Sequence, residues 1–127
     1  MRLLVCGGRD YSDYTKVYTE IARALDWVSS GDEPNDSWLP PKDTVIISGG
    51  ATGADSIAVD WAVIHWVPRE VYKADWERHG KAAGPIRNKR MLVEGKPDMV
   101  LAFPGGPGTA NMVDQALKAG VPVRCIS

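Results

Sequence analysis

Short apolar runs alternate along the chain with stretches in which apolar side chains recur every third or fourth residue. Arg2 to Cys6 is such a run, closed by Gly7-Gly8, and predicts a buried strand. Residues 12–29 follow, with Tyr14, Val17, Tyr18, Ile21, Leu25 and Val28 on one helical face and Ser12 or Asp13 as cap. Residues 29–43 turn polar, and predict a long loop in which Trp38 and Leu39 are the large apolar residues. Further strands are predicted at 44–48, 69–72, 98–103 and 121–126, and helices at 53–66, 85–94 and 108–119. Pro85 is read as the first helical residue, and Gly120 as the residue that stops the last helix. Residues 73–84 show no period and are read as irregular. Strand and helix in strict alternation imply a mainly parallel sheet of about five strands with helices on both faces. No repeat or second domain is visible, so 1–127 is read as one α/β domain with the 29–43 loop inserted.

The 53–66 helix departs from the pattern. Ala54, Ile57, Ala58, Trp61 and Ala62 form one apolar stripe, and Val59, Val63 and Trp66 form a second nearly opposite. A helix apolar almost all round is covered on more than one side. Either a second subunit or the 29–43 loop supplies the second cover, and the dimer is preferred.

Composition narrows the function. Fifteen Lys and Arg against 16 Asp and Glu give a net charge of −1, which opposes binding nucleic acid by bulk charge. No apolar run is long enough to span a membrane, and the first residues do not form a secretory signal. Cys6 and Cys125 both fall in predicted strands and read as reduced core residues of a cytoplasmic protein. Two His and two scattered Cys make no zinc pattern.

Candidate chemistry gathers where predicted strands end. Three glycine-rich turns fall there: Gly7-Gly8-Arg9; 48–55 with Gly49, Gly50, Gly53 and Asp55; and 104–109 with Gly105, Gly106, Gly108 and Thr109. Glycine lets backbone N–H groups approach an anion, and the helix that follows adds its positive end. Neither a Walker A loop nor a standard dinucleotide fingerprint is present. Arg9 and Arg87, with Asn88 beside it, are read as phosphate contacts, whereas Lys89 and Arg90 are read as a solvated face. Asp55 either receives ribose hydroxyls or caps its helix. Trp76 either stacks on a base or plugs its loop.

The ordered strings CGGRDY (6–11), SGGATGAD (48–55), ADW (74–76), AGPIRN (83–88) and FPGGPGTANM (103–112) resemble the YspA-type branch of the SLOG superfamily. That superfamily also holds the LOG phosphoribohydrolases, the DprA/Smf proteins and Möco-carrier-like proteins. The resemblance implies a Rossmann-like three-layer fold, a nucleotide or nucleotide-derived ligand over the glycine turns, and commonly a dimer. Proteins of this type occur in bacteria and their phages.

LOG enzymes cleave the N-glycosidic bond of nucleoside monophosphates with an Arg four residues before a Met and a PGGxGTxxE motif. Arg87 stands four residues before Met91, and PGGxGT is kept at 104–109, but the glutamate position holds Met112. A thioether neither stabilises a ribosyl cation nor moves a proton. The leading expectation is therefore a nucleotide-binding or sensing domain that needs no cofactor, unless a phosphate brings Mg²⁺ with it. The alternative is a phosphoribohydrolase-like enzyme whose catalytic candidates are Arg87, Asp55 and Asp114. A third reading, single-stranded DNA binding, lacks the basic stripe it requires.

Overall fold

A computed structural model describes residues 1–25 and 40–127. Its five strands are β1 (Arg2–Cys6), β2 (Val45–Ser48), β3 (Arg69–Val71), β4 (Met99–Ala102) and β5 (Val123–Cys125). They form one sheet in the order β3-β2-β1-β4-β5. Every pairing is parallel, with Leu4 opposite Ile47 on one side and Val100 on the other.

Parallel strands need crossovers, and the helices supply them on both faces. One face carries α1 (Tyr14–Ala24) and α2 (Ala54–Ile64), and the other α4 (Ala83–Val93) and α5 (Pro107–Lys118). Strand alternation divides β1 between two cores. Leu3 and Val5 join Ile21, Ile57, Trp61 and Phe103, while Leu4 and Cys6 join Ile47, Met91, Val100 and Met112. The result is the Rossmann-like three-layer α/β arrangement. The chain runs outward from β1 through β2 to β3, then returns to place β4 and β5 on the other side of β1. The strand order therefore reverses between β1 and β4, where such sheets open a crevice at their carboxyl ends.

Several boundaries differ from the sequence reading. The first helix starts after Asp13, whose carboxylate accepts from the Lys16 amide at 3.0 Å, and Leu25 is its C-cap. Val28 and residues 29–39 of the long loop lie outside the described residues. Helix α2 stops at Ile64 rather than Trp66. The Val67 amide returns to the Ala62 carbonyl at 2.8 Å, and Trp66 turns left-handed at φ 57°. Helix α4 begins at Ala83, so Pro85 is its third residue and not its first. Residues 73–84, read as irregular, contain a one-turn helix α3 (Trp76–His79) and a 3₁₀ turn (Gly80–Ala82). Asp75 nucleates α3 by accepting from the Arg78 amide, a signal too short to show as periodicity. Cys125, expected in the core, is exposed because β5 is a short strand at the edge of the sheet, paired among the described residues with β4 alone.

The two stripes of α2 separate cleanly. Ala54, Ile57, Ala58, Trp61 and Ala62 are buried in the first core, whereas Val59 is half-buried and Val63, Ile64 and Trp66 are exposed, Trp66 at 94%.

Candidate functional site

The three glycine turns meet at the carboxyl ends of β1, β2 and β4, and Gly8 ties them together. Its amide donates to the Pro104 carbonyl at 2.9 Å, and its own carbonyl accepts from Ala54 at 3.3 Å. Such close backbone approach has no room for side chains. A Cβ on Gly7 would stand 2.7 Å from the Ala54 Cβ, and one on Gly8 would stand 2.9 Å from the Pro104 carbonyl. Gly53, at φ 78°, would drive a Cβ into the Gly8 carbonyl. These glycines serve loop-to-loop packing.

A cleft of about 680 Å³ opens above the join. Its walls include Gly7, Gly8, Arg9, Asp55, Trp76, Arg87, Asn88, Gly106, Gly108 and Thr109, which were all singled out from the sequence. Gly49 and Gly50 line an adjoining hollow instead, and Gly105 is packed beneath, against Gly8.

Helix α5 presents its N-terminus to this cleft. Gly106 is the N-cap and offers no side chain, Pro107 has no N–H, and the amides of Gly108 and Thr109 have no acceptor within the helix. A Cβ on Gly106 or Gly108 would meet nothing within 4 Å. The space in front of the helix is therefore open, and its positive end faces the cleft.

Arg87 and Asn88 join this turn to the 48–55 turn. Arg87 Nη1 donates to the Gly49 carbonyl at 2.7 Å, and its Nε donates to Asn88 Oδ1 at 3.0 Å. Asn88 Nδ2 donates in turn to the Gly108 carbonyl at 3.2 Å and to Asn111 Oδ1 at 3.1 Å. Gln115, one helical turn beyond Asn111, completes the network with a 2.7 Å bond to the same oxygen. Burial pulls the Arg87 pKa down, Asp55 raises it again, and the neighbouring Arg9 charge lowers it further.

Asp55, 5% exposed, fills the α2 turn from within. Its Oδ2 accepts from the Ala51 amide at 3.3 Å, and a Cβ on Gly49 would sit 2.9 Å from that oxygen. Burial pushes its pKa up to about 6, against the opposing effects of the Ala51 and Gly49 amides and of Arg87 and Arg9. Cys6, beneath the cleft, is pushed up to about 12, by burial first and then by Asp55. Such a thiol is not a nucleophile at neutral pH.

Trp76 stands half-exposed at the cleft mouth, with the Arg9 guanidinium 5.3 Å from its ring centroid. Asp114 is not brought to the cleft. It is exposed on α5, 3.0 Å from Lys118, and borders a separate hollow of about 440 Å³ beside Cys125. Met112, at the position of the LOG glutamate, is buried at the base of the cleft.

The sequence reading missed Ala51, Lys73 and Asn111. The i, i+4 spacing of Asn111 and Gln115 is the signal that could have revealed a polar network on α5; nothing local marked the other two. Among the described residues, no group of three or more His, Cys, Asp or Glu is arranged to hold a metal ion. No helix there is long and apolar enough to cross a membrane.

A Rossmann-like α/β domain with a glycine-walled cleft at its switch point defines a class of ligand-binding domains. A family profile described as "YspA, cpYpsA-related SLOG family" matches residues 1–79. The chain is also 40% identical over 132 residues to the Gene 61 protein of Mycobacterium phage D29, covering 96% of this chain and 93% of that protein. The chain belongs to this YspA and cpYpsA-related SLOG family, whose membership suggests a nucleotide-related ligand.

Proposed function

We propose that the cleft binds a phosphate-bearing nucleoside and that the domain senses or carries this ligand rather than consuming it. The observation that carries the reading is the α5 N-terminus. Its first-turn amides and open glycines face a cleft that also holds a guanidinium, a carboxyl and an indole. The phosphate takes the Gly108 and Thr109 amides, with any Mg²⁺ arriving on the phosphate. Arg87, held by Gly49 and Asn88, supplies charge beside it. Asp55 accepts from ribose hydroxyls, and the base lies against Trp76.

Native mass spectrometry of freshly purified protein, followed by chromatography of what denaturation releases, tests this. One nucleotide per subunit, lost in Arg87→Ala, is the expected result. A chain that carries no nucleotide and binds none in a titration panel contradicts the reading.

One observation favours a second reading, nucleotide N-glycosidase activity. Asp55 is a buried carboxyl in the cleft with a pKa of about 6, the range that suits a general acid or base. Release of free base from a nucleoside monophosphate, abolished in Asp55→Asn, would establish hydrolysis. Asp114, paired with Lys118 outside the cleft, drops out as the carboxylate.

We also propose, whichever chemistry holds, a dimer built on the outer face of α2 and the Trp66 turn that follows it. Trp66 is the sharpest probe because its left-handed backbone suits glycine. Trp66→Gly keeps the fold and yields a monomer in light scattering; a variant that remains dimeric moves the interface elsewhere.

A further inference from the structure

Beside the cleft lies a second hollow of about 350 Å³, bounded by Arg9, Lys73, Arg87, Trp76 and residues 49–52. Among the described residues no carboxylate lines it, and Asp55 acts on Arg87 and Arg9 only from outside it, in the first turn of α2. Among the described residues, Arg2, Arg23, Arg90, Lys118 and Arg124 each lie within ion-pair distance of a carboxylate; Arg9, Lys73 and Arg87 are among the ten Lys and Arg that do not, and they are the ones that share this hollow. Three cations thus converge on one hollow of a chain whose net charge is −1. Arg9 and Arg87 are close enough for the charge of one to oppose the charge of the other.

The backbone of the 48–55 turn does not serve this hollow as an anion nest. The Gly50 amide donates to Ser48 Oγ at 3.2 Å, and the Ala51 amide is taken by Asp55. Recognition there falls to side chains, and Lys73 is the cation that borders this hollow and not the main cleft. Its stem is laid over Gly50, where a Cβ would come within 3.3 Å of Lys73 Cγ. Arg9, Ala51, Trp76 and Arg87 border both spaces, so a ligand held in one reaches the other without leaving the protein.

We infer that the hollow bounded by Arg9, Lys73 and Arg87 is a second anion subsite, and that the ligand is a nucleotide carrying a second phosphate. This rests on the nucleotide reading of the main cleft and names the ligand class. An anion in the hollow separates like charges and gains charge-assisted hydrogen bonds from three donors.

Calorimetric titration of the intact chain tests it with the 5′-monophosphates, 5′-diphosphates and 3′,5′-bisphosphates of adenosine, guanosine, cytidine and uridine. For the base that binds, one doubly phosphorylated form is expected to bind about tenfold more tightly than the monophosphate, the scale of one charge-assisted contact. Lys73→Ala removes that gain and leaves monophosphate affinity unchanged. Lys89→Ala, on the exposed face of α4, changes neither. Equal affinity for all three forms overturns the subsite and leaves the nucleotide reading standing. So does a gain that survives Lys73→Ala, or one lost equally in Lys89→Ala. Failure of every nucleotide to bind overturns both.

Discussion

The 48–55 and 104–109 turns look alike in sequence and do opposite things in space. Each ends a central strand, each is rich in glycine, and each leads into a helix with no side-chain cap. In the 48–55 turn, the space in front of Gly49 holds the Arg87 guanidinium and the Asp55 carboxylate, while Gly53 packs under Gly8. The protein's own carboxylate takes the backbone of that turn, leaving the hollow beside it to side chains. In the 104–109 turn, Gly105 packs against Gly8, but Gly106 and Gly108 face open space. Glycine alone therefore does not report a ligand. What favours one is open glycine at a helix N-terminus that faces the cleft, since Gly80 and Gly120 are as open without that placement. On the proposed nucleotide reading, the α5 turn seats the anion and the α2 turn is the platform behind it.

Substitutions sharpen this contrast. Gly53→Ala forces a Cβ into the Gly8 carbonyl at a left-handed φ, and its expected cost is about 3 kcal/mol or more. A denaturation midpoint close to that of the parent would break the packing account of the first turn.

Asp55→Asn addresses the built-in anion. Folded Asp55 keeps its proton to about pH 6, whereas the unfolded chain releases it near the ordinary 3.8. Between those values the folded state binds more protons, so the parent loses stability as pH rises through the window. The gap corresponds to about 3 kcal/mol at full ionisation. Asparagine does not titrate, so above pH 7 the variant gains about 2 to 3 kcal/mol relative to its difference from the parent below pH 4. Unfolding curves across pH 3.5 to 8 check it; a difference that stays constant with pH would remove Asp55 as the titrating group.

Asn88→Ala cuts the link between the two turns. Asn88 is 2% exposed and bonds Arg87, Gly108 and Asn111, so its loss costs about 1 to 2 kcal/mol of stability. The loss should also free Arg87 and weaken nucleotide binding; unchanged ligand affinity would mean the two turns act independently. Gly108→Ala is the mildest. Its Cβ meets nothing and alanine suits a helix, so stability moves by less than about 0.5 kcal/mol while the added methyl crowds the anion seat. Intact nucleotide affinity in this variant would argue that the seat lies elsewhere.

The order of elements and the parallel sheet were legible from apolar runs such as Arg2–Cys6, because strands buried on both faces leave an uninterrupted signature. The cleft residues were legible because glycine turns at strand ends converge wherever strand order reverses. The roles within the cleft were not. Arg87 reads as a phosphate ligand in sequence, yet two of its guanidinium donors are committed, one to the adjacent Asn88 and one to Gly49, 38 residues away, where no local pattern encodes the contact. Helix α3 escaped notice because one turn is too short to show a period. Cys125 was misplaced because a run of apolar letters does not reveal that its strand is the sheet edge. Trp76 and Arg9, far apart in the chain, meet only through the fold.

The central claim is that phosphate sits on the α5 turn and not on the α2 turn. Amide-resolved NMR during titration with a nucleoside monophosphate that binds tests this most directly. The account predicts the largest shifts at the Gly106, Gly108 and Thr109 amides, with those of Gly49, Gly50 and Ala51 little moved. Shifts centred on Gly49 to Ala51 would contradict it, because they would mean that the ligand displaces Asp55 from a turn already filled by the protein itself.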